Sequence, residues 1–235
     1  DCNPKNKRNF RSRCSALIKS KYENILIDTS PDLREQLLRN KIRYIDRVLY
    51  THQHGDQTHG INDLRVFYLK KRKKVPLYAD KKTSKYLKDN FSYCFKYNST
   101  KLKSLDYPAT LKLNALKKIH FFSNIKIQSF RVNHGNIDSI CYIINNKCAY
   151  ASDVKFFYKN TFHLVKDIKY LVVDCLRYAP HPSHFNLDEL LEFINLIKPK
   201  KTILTNLSTQ MDYDKLKKKL PKNIIPAYDN LVINL

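Results

Sequence analysis

The sequence predicts an α/β fold in which two mixed β-sheets pack together with helices on their outer faces, a four-layer αββα sandwich. Short apolar, strand-like runs come early and late in the 235-residue chain, and helical patterns follow each set. Hydrophobic residues make up 43% of the chain, which is enough for a large core. No linker, low-complexity tract or repeat period interrupts the sequence, so we expect a single domain over residues 1–235.

In the first half of the chain, each predicted strand is a short run rich in apolar and β-branched residues. Such runs occur at residues 15–18, 24–28, 47–51 and 75–79. The first helix is predicted to begin at Ser30 as its N-cap, with Pro31 in the first turn and leucines on one face. A second helix is predicted from Ile61 and a third over residues 83–95.

In the second half, apolar segments broken by turn residues predict successive strands over residues 107–134. Residues 140–144 and 147–151 are predicted to form a hairpin around an Asn-Asn turn. Further strands are predicted at residues 170–174, 202–205 and 231–235, and helices at residues 187–197 and 213–220. This order of strands and helices is the basis for two sheets covered by helices.

Residues 51–60, THQHGDQTHG, concentrate potential metal ligands directly after an apolar run. His52 and His54 are one residue apart at a strand end, so their side chains point the same way. Asp56 adds an oxygen donor, and this mixture suits zinc, manganese or iron. The chain has only three glycines, all beside candidate ligands: Gly55, Gly60 and Gly135.

Two further candidate ligands follow predicted strands, His134 in VNHG and Asp153 in ASD. Together with the HxHxD pattern of the His loop, they resemble the metallo-β-lactamase fold superfamily. Within it, the chain is similar to the branch that contains the phosphoribosyl 1,2-cyclic phosphate phosphodiesterase of phosphonate breakdown. Three stretches carry that similarity: residues 25–34 (ILIDTSPDLR), 59–65 (HGINDLR) and 181–189 (HPSHFNLDE).

The resemblance implies a metal centre of one or two divalent ions, with zinc or manganese expected. His52, His54 and His134 would form the first site, and Asp153 would bridge to a second ion. Asp56 would belong to the second site and orient the attacking water, which makes it a candidate catalytic residue. The resemblance also implies that the family's N-terminal strand is missing from this chain.

Supporting roles are implied for several other residues. Asp28 would hold the ligand loop from behind, and His184 would act catalytically by reaching the substrate phosphate and assisting the leaving group. His184 also has a simpler interpretation as a residue at the entry to the following helix. Arg65, Arg177 and the basic run at residues 70–74 are candidates for charge neutralisation, although ion pairing within the fold would equally explain the two arginines.

Two positions depart from the family pattern. Gln57 stands where a second-site histidine normally follows Asp56, and Asn206 stands where a late histidine is usual. Amide oxygens bind transition metals much more weakly than imidazole. Either the centre holds one ion, or a weaker second site survives with Gln57, Asn206 and His59 as candidate ligands.

The formal net charge of +23 has two interpretations. It would attract nucleic acid or phosphate esters, or it reflects a lysine-rich composition with solvated side chains. Six scattered cysteines without a CxxC pair predict reduced thiols and a cytoplasmic protein. No apolar run approaches the ~20 residues of a membrane span, so no membrane partner is expected.

The leading hypothesis is a metal-dependent hydrolase, a phosphodiesterase acting on a small nucleotide-like or cyclic phosphate ester through a metal-activated water. An RNA-processing nuclease of the same superfamily is one alternative. A non-catalytic metal- or RNA-binding protein with a decayed second metal site is another. The expected partner is a small anionic phosphate ester, while a nucleic-acid partner and a homodimer both stay open.

Overall fold

The computed structural model describes residues 2–96 and 108–235. The chain divides into two compact units. The first unit is Arg13–Leu116, and the second unit combines Asp1–Ser12 with Lys117–Leu235. Each unit contains one mixed β-sheet and helices, so the predicted two sheets and the α/β class are confirmed.

In the part of the chain that the structure describes, the sheet of the first unit has five strands in the order β1-β2-β3-β4-β5. They are β1 (Ala16–Lys19), β2 (Asn24–Ile27), β3 (Arg47–Leu49), β4 (Val75–Ala79) and β5 (Leu111–Ala115). β1 runs antiparallel to β2, and the remaining neighbours are parallel. Loops that follow β2 and β3 therefore leave from the same edge of the sheet, which is where α/β sheets usually bind ligands.

Among its described residues, the first unit has the α-helices α1 (Leu33–Arg39), α2 (Gly55–Thr58), α3 (Arg65–Lys71) and α4 (Lys81–Asn90). α1 begins at Leu33 with Asp32 at its N-cap position, so the helix starts later than predicted, although the Ser30 hydroxyl oxygen accepts from the Asp32 N–H at 3.3 Å as a capping side chain would. The backbone carbonyl of Ser30 packs so closely on Gly60 that a Cβ there would lie 2.0 Å from the oxygen. Ser30 thus belongs to a tight loop against the ligand segment, and the helix starts only after that loop.

The sheet of the second unit has seven strands in the order β12-β11-β10-β9-β8-β7-β6. β6 (Ile119–Phe122), β7 (Ile125–His134), β8 (Ile137–Ile144) and β9 (Cys148–Ala151) form an antiparallel meander. β10 (Tyr170–Asp174), β11 (Lys201–Thr205) and β12 (Ile224–Pro226) continue from β9 in parallel. The ends of β9, β10 and β11 therefore meet at one edge, where polar residues follow each strand.

The α-helices of the second unit, over residues 2–12 and 117–235, are α5 (Phe162–Val165), α6 (Leu187–Ile197) and α7 (Tyr213–Lys219). α6 begins with a capping box, because the Asn186 side chain accepts from the Glu189 N–H and Glu189 accepts from the Asn186 N–H. Its apolar face joins a buried cluster with the strands of the second sheet, which includes Leu190, Phe193 and Val173. This packing fixes the chain just before α6, where His184 lies.

The predicted last strand at residues 231–235 is wrong. The final strand is β12, which ends at Pro226 and pairs with β11. Val232 is 77% exposed, so this apolar side chain is not packed against the rest of the protein as it would be in a buried strand. Of the predicted strands over residues 107–134, the part at Tyr107 lies outside the described residues.

The helices of residues 2–96 and 108–235 are all too short or too polar to cross a membrane. All six cysteines are free thiols, and Cys94, Cys141, Cys148 and Cys175 are buried. Burial raises the pKa of the Cys94 thiol to about 11 and that of Cys148 to about 12, which keeps both protonated and unreactive. The cytoplasmic location stays a prediction.

Candidate functional site

In the first unit, the loop after β3 is held by Asp28, which is fully buried and has a left-handed backbone with φ 61°. Its carboxylate accepts hydrogen bonds from the Thr51 N–H at 2.7 Å and the Thr51 hydroxyl at 2.8 Å. Because that hydroxyl proton goes to Asp28, the Thr51 oxygen accepts from the His52 Nδ1–H at 3.0 Å. The expected support of the ligand loop by Asp28 is confirmed, and it leaves the lone pair of His52 on Nε2.

The two histidines of this loop present ring nitrogens to each other. His52 Nε2 and His54 Nδ1 are 3.0 Å apart, with the rings at 77°. A divalent ion about 2.0–2.1 Å from each nitrogen fits between atoms at that separation. His52 is buried and His54 is exposed, so the pair combines a fixed ligand with one open to solvent.

The short helix α2 carries Asp56 and Gln57. Gln57 is fully buried, and its side-chain N–H donates to Asp56 Oδ2 at 3.1 Å. His59 follows α2, and its Nε2 lies 3.1 Å from the Tyr86 hydroxyl, with its ring against Phe91. The contacts of His59 are therefore with α4 and the residue that follows it; its service as a replacement ligand stays a prediction.

In the second unit, His134, Asp153 and His184 form a group of potential ligands. One ligand atom from each lies within 4.8 Å of the others. His134 ends β7, Asp153 follows β9 and His184 precedes α6, so three separate elements bring the group together. His134 and Asp153 are each only 2% exposed, so both polar side chains have lost most of their hydration.

The orientation of His134 is set by the loop before α6. Its Nδ1–H donates to the Ser183 carbonyl at 2.7 Å, which leaves the lone pair on Nε2. Gly135 follows with φ 70°, and a Cβ there would lie 2.7 Å from the Ser183 Cβ. Glycine is needed at this position because the two loops approach too closely for any side chain.

His184 is held by a carboxylate that the sequence pattern did not single out. His184 Nδ1 lies 2.6 Å from Asp174 Oδ2, and Asp174 is fully buried at the end of β10. Burial, and then the nearby Asp153 carboxylate, raise the pKa of Asp174 well above its ordinary value. A proton shared with His184 is thereby favoured over an isolated buried charge. The only signal in the sequence is an Asp that closes an apolar strand.

Asn206 directly follows β11 in a left-handed conformation with φ 58°. Its side-chain N–H donates to Asp153 Oδ1 at 3.3 Å. Like Gln57 in the first unit, it presents an amide donor to a candidate metal-binding carboxylate. In both residues the amide N–H, and not the amide oxygen, faces the neighbouring carboxylate. The amide oxygen is the atom that would have to bind a metal.

Some of the basic residues proposed for charge neutralisation have structural partners. Arg177 donates to the carbonyl groups of Ala179 and Pro180 in its own loop. Lys71 pairs with Asp46 at 3.8 Å and lies over the Tyr44 ring at 3.3 Å. Arg65 opens α3, and residues 70–74 at the other end of that helix are exposed. These partners of Arg177 are backbone carbonyls and not a carboxylate, so its role in charge neutralisation stays a prediction.

An open cleft of about 620 Å³ borders the His134 group in the second unit. Its lining includes Asn133, Asn136, Lys155, Phe156 and Ser183. Phe156 is 45% exposed and therefore offers an aromatic surface beside amide groups. Lys155 makes two 2.7 Å contacts with a neighbouring glutamate, which keeps its ammonium group at the cleft wall.

Residues 23–205 match the family model described as the beta-lactamase superfamily domain. The chain belongs to the beta-lactamase superfamily. The match includes the HxHxD loop, His134, Asp153 and His184, and it ends one residue before Asn206. The resemblance stated from the motifs is confirmed, and the chain is a hydrolase of the metallo-β-lactamase fold.

Solved structures of the superfamily agree with this assignment. A diphosphatase from the PhnP family is 28% identical with a TM-score of 0.89, over 100% of this chain and 90% of that one. Zinc-bound PqqB from Methylobacterium extorquens is 14% identical with a TM-score of 0.75, over 95% and 88%. Human tRNase Z, short form, is 16% identical with a TM-score of 0.68, over 94% and 92%. The last two show the shared fold alone.

A curated relative from Porphyromonas gingivalis bears the name octanoyltransferase. It is 30% identical to this chain over 237 residues, and the aligned region covers 98% of this chain and 46% of the relative. The chain thus spans about half the length of the curated relative that it matches. The name of the whole relative therefore assigns no activity to the matched part.

Proposed function

We propose that the chain is a metal-dependent phosphodiesterase that acts on a small nucleotide-like or cyclic phosphate ester. The observation that carries the proposal is the fixed orientation of the candidate ligands. His52 and His134 each give their Nδ1–H to an acceptor, at 3.0 and 2.7 Å, and each keeps a lone pair on Nε2. Such outer contacts are the usual way in which metal-binding histidines are oriented.

The donors present fit a divalent transition metal. The proposed ligands are His52, His54, Asp56, His134 and Asp153, a nitrogen and oxygen set that suits zinc or manganese. When bound, the metal would supply Lewis acidity towards a phosphoryl oxygen and activate a water molecule. The buried positions of His52, His134 and Asp153 support this role, because a bound cation would compensate for their lost hydration.

The side chains around these ligands would perform the remaining steps. Asp56 would orient the attacking water, with its carboxylate held in place by the Gln57 amide at 3.1 Å. His184 would deliver a proton from Nε2 to the leaving oxygen, while Asp174 at Nδ1 stabilises the imidazolium form. His184 therefore acts as a general acid and Asp174 as the residue that positions it.

The cleft beside His134 supports an ester that carries a planar group. The exposed Phe156 ring offers a stacking surface, and the Asn136 amide offers hydrogen-bond donors and an acceptor. A nucleoside matches both features. The PhnP-family diphosphatase, at 28% identity over the whole chain, supports a phosphate-containing substrate.

The test is hydrolysis of bis-p-nitrophenyl phosphate and of 2′,3′-cyclic nucleotides by the full chain supplied with zinc or manganese. We expect turnover with the wild type and its collapse in Asp56→Asn. Absence of hydrolysis with either metal, in protein that is folded and binds the metal, would reject the phosphodiesterase proposal. Polyanion binding that survives in Asp56→Asn without any hydrolysis in the wild type would instead favour a binding protein.

An RNA-processing nuclease is the second candidate, favoured by the net charge of +23. The exposed basic run at residues 70–74 of the first unit is the kind of surface that would contact phosphates. Cleavage of a structured precursor RNA at a rate above that of small esters would select this candidate. Activity on small esters alone would exclude it.

A further inference from the structure

We infer that the chain binds one divalent ion per molecule, because amide hydrogen-bond donors occupy the positions from which a second ion would be bound. This inference rests on the proposed metal-dependent function. It concerns two carboxylates, Asp56 in the first unit and Asp153 in the second. Each accepts a hydrogen bond from a side-chain amide, Gln57 in the first case and Asn206 in the second.

The contact in the first unit is fixed by burial. Gln57 is fully buried, and its Nε2–H donates to Asp56 Oδ2 at 3.1 Å. Its backbone is fixed as well, since the Gln57 carbonyl accepts from the Thr29 N–H at 2.8 Å and its N–H donates to His54. An amide N–H has no lone pair for a metal and carries a partial positive charge. Its presence at Asp56 Oδ2 therefore opposes the binding of a second cation through that oxygen.

The contact in the second unit is fixed by the backbone. Asn206 is in the left-handed conformation directly after β11, a conformation that asparagine adopts readily. From there its Nδ2–H reaches Asp153 Oδ1 at 3.3 Å. Binding of an ion through the Asn206 oxygen would require the amide to turn around and give up this contact.

Neutral amide oxygens would be poor replacements even after such a turn. They bind first-row transition metals far more weakly than imidazole, and both charge-assisted hydrogen bonds would be lost. The first-site histidines face no such conflict. His52 and His134 each direct Nε2 away from the contact that holds Nδ1, and His54 Nδ1 lies 3.0 Å from His52 Nε2.

The experiment measures metal bound per chain by elemental analysis after loading with manganese and removal of free ion. Electron paramagnetic resonance of the same samples separates an isolated Mn²⁺ from an exchange-coupled pair. We expect one manganese per chain and an uncoupled spectrum for the wild type. The double variant Gln57→His and Asn206→His should bind two, with a coupled spectrum. Histidine is among the residues tolerated in the left-handed conformation, so the backbone at position 206 permits the change.

The control is the double variant Gln57→Leu and Asn206→Gly, which removes both amides without adding ligands and should keep one ion. Circular dichroism identifies folded samples. Two ions in the wild type, or one ion in a folded double-histidine variant, would overturn the inference. No bound metal in the wild type with either zinc or manganese would instead overturn the proposed function.

Discussion

The Asp28 carboxylate accepts from both the backbone N–H and the hydroxyl of Thr51, at 2.7 and 2.8 Å. This pair links strand β2 to the loop after strand β3 and leaves the Thr51 oxygen as an acceptor for His52. The orientation of a candidate metal ligand therefore depends on a buried carboxylate 24 positions earlier in the chain. Changes at Thr51 should act on metal binding although the residue is not itself a ligand.

Thr51→Val keeps the shape of the side chain but removes the hydroxyl. We expect metal affinity to fall about 10- to 100-fold, as is usual when an outer contact of a ligand is lost. The free energy of unfolding should also fall by about 1–3 kcal/mol, because one oxygen of buried Asp28 loses its hydrogen-bond donor. Calorimetric titration with manganese and thermal denaturation measure the two effects.

Thr202→Val is the matched control for this change. Thr202 is fully buried in β11, and within the described residues its hydroxyl has no hydrogen-bond partner. The same loss of a hydroxyl should leave metal affinity unchanged there. Equal metal affinities of Thr51→Val and the wild type would contradict the role assigned to the Asp28 contact.

Asp174→Asn should slow hydrolysis by weakening His184 as a general acid. The amide keeps the size of the side chain but cannot stabilise an imidazolium, so we expect kcat to fall about 100-fold or more for an alkyl leaving group. For p-nitrophenolate, which leaves without help from an acid, the loss should be much smaller. Parallel kinetics with both kinds of ester measure the difference.

The control for Asp174→Asn is Asp138→Asn in β8. Asp138 accepts from the Tyr158 hydroxyl at 2.7 Å and is paired with Arg131, so the same substitution there removes only structural contacts. Asp138→Asn should reduce kcat for both esters by the same factor or leave both values unchanged. A uniform loss with both leaving groups in Asp174→Asn would show that Asp174 supports structure and not proton transfer.

Asp212 supplies a prediction about stability at low pH. It accepts from the Asn3 N–H at 2.9 Å, the Asn9 side chain at 2.7 Å and the Lys215 N–H at 3.0 Å. These hydrogen bonds lower its pKa from 3.8 to about 2. Because the folded state favours the ionised carboxylate, this stabilisation is fully present above about pH 4 and is lost as the pH falls towards 2.

Asp212→Asn should therefore lower the melting temperature at pH 7 and flatten its decline between about pH 4 and pH 2. Thermal melts across this range, with Asp214→Asn as the control, measure the difference. Asp214 lies two residues away and is exposed, so its replacement should leave the slope unchanged. Parallel pH curves for wild type and Asp212→Asn would contradict the assignment.

The sequence predicted those features that depend on local pattern. Apolar runs followed by polar residues marked β3, β7 and β9, and the candidate ligands His52, His134 and Asp153 lie at or just after those strand ends. These residues are recognisable because a strand and its end are indicated by residues that are neighbours in the sequence. The α/β class followed from the same runs.

Other features depend on contacts between distant segments. Asp174 looked like an ordinary strand end, because its partner His184 is brought close only by the packing of α6. His59 looked like a residue on the same helical face as Asp56, yet Tyr86 from α4 lies 3.1 Å from its ring nitrogen. The last strand was predicted at residues 231–235, whereas the observed one is the three-residue edge strand β12, which contains Pro226; edge strands tolerate proline.

Phe156→Ala tests whether the cleft beside His134 receives a nucleoside. The test compares thymidine 5′-p-nitrophenyl phosphate with methyl p-nitrophenyl phosphate. The two esters share the p-nitrophenolate leaving group, and only the first carries a nucleoside. A base stacked on an aromatic ring contributes about 1–3 kcal/mol. We therefore expect KM for the thymidine ester to rise about tenfold or more, with kcat nearly unchanged and the methyl ester unaffected.

Phe121→Ala is the matched control, since Phe121 is 73% exposed on β6 and does not line the cleft. It should leave KM for both esters as in the wild type. If Phe156→Ala changes KM for the two esters equally, the ring contributes to folding or metal access and not to recognition of a base. A selective rise in KM for the thymidine ester would identify the nucleoside side of the substrate as the part that enters the cleft. The phosphate would then lie towards His134 and His184, because Gly135 and Ser183 of the cleft wall are their immediate neighbours in the chain.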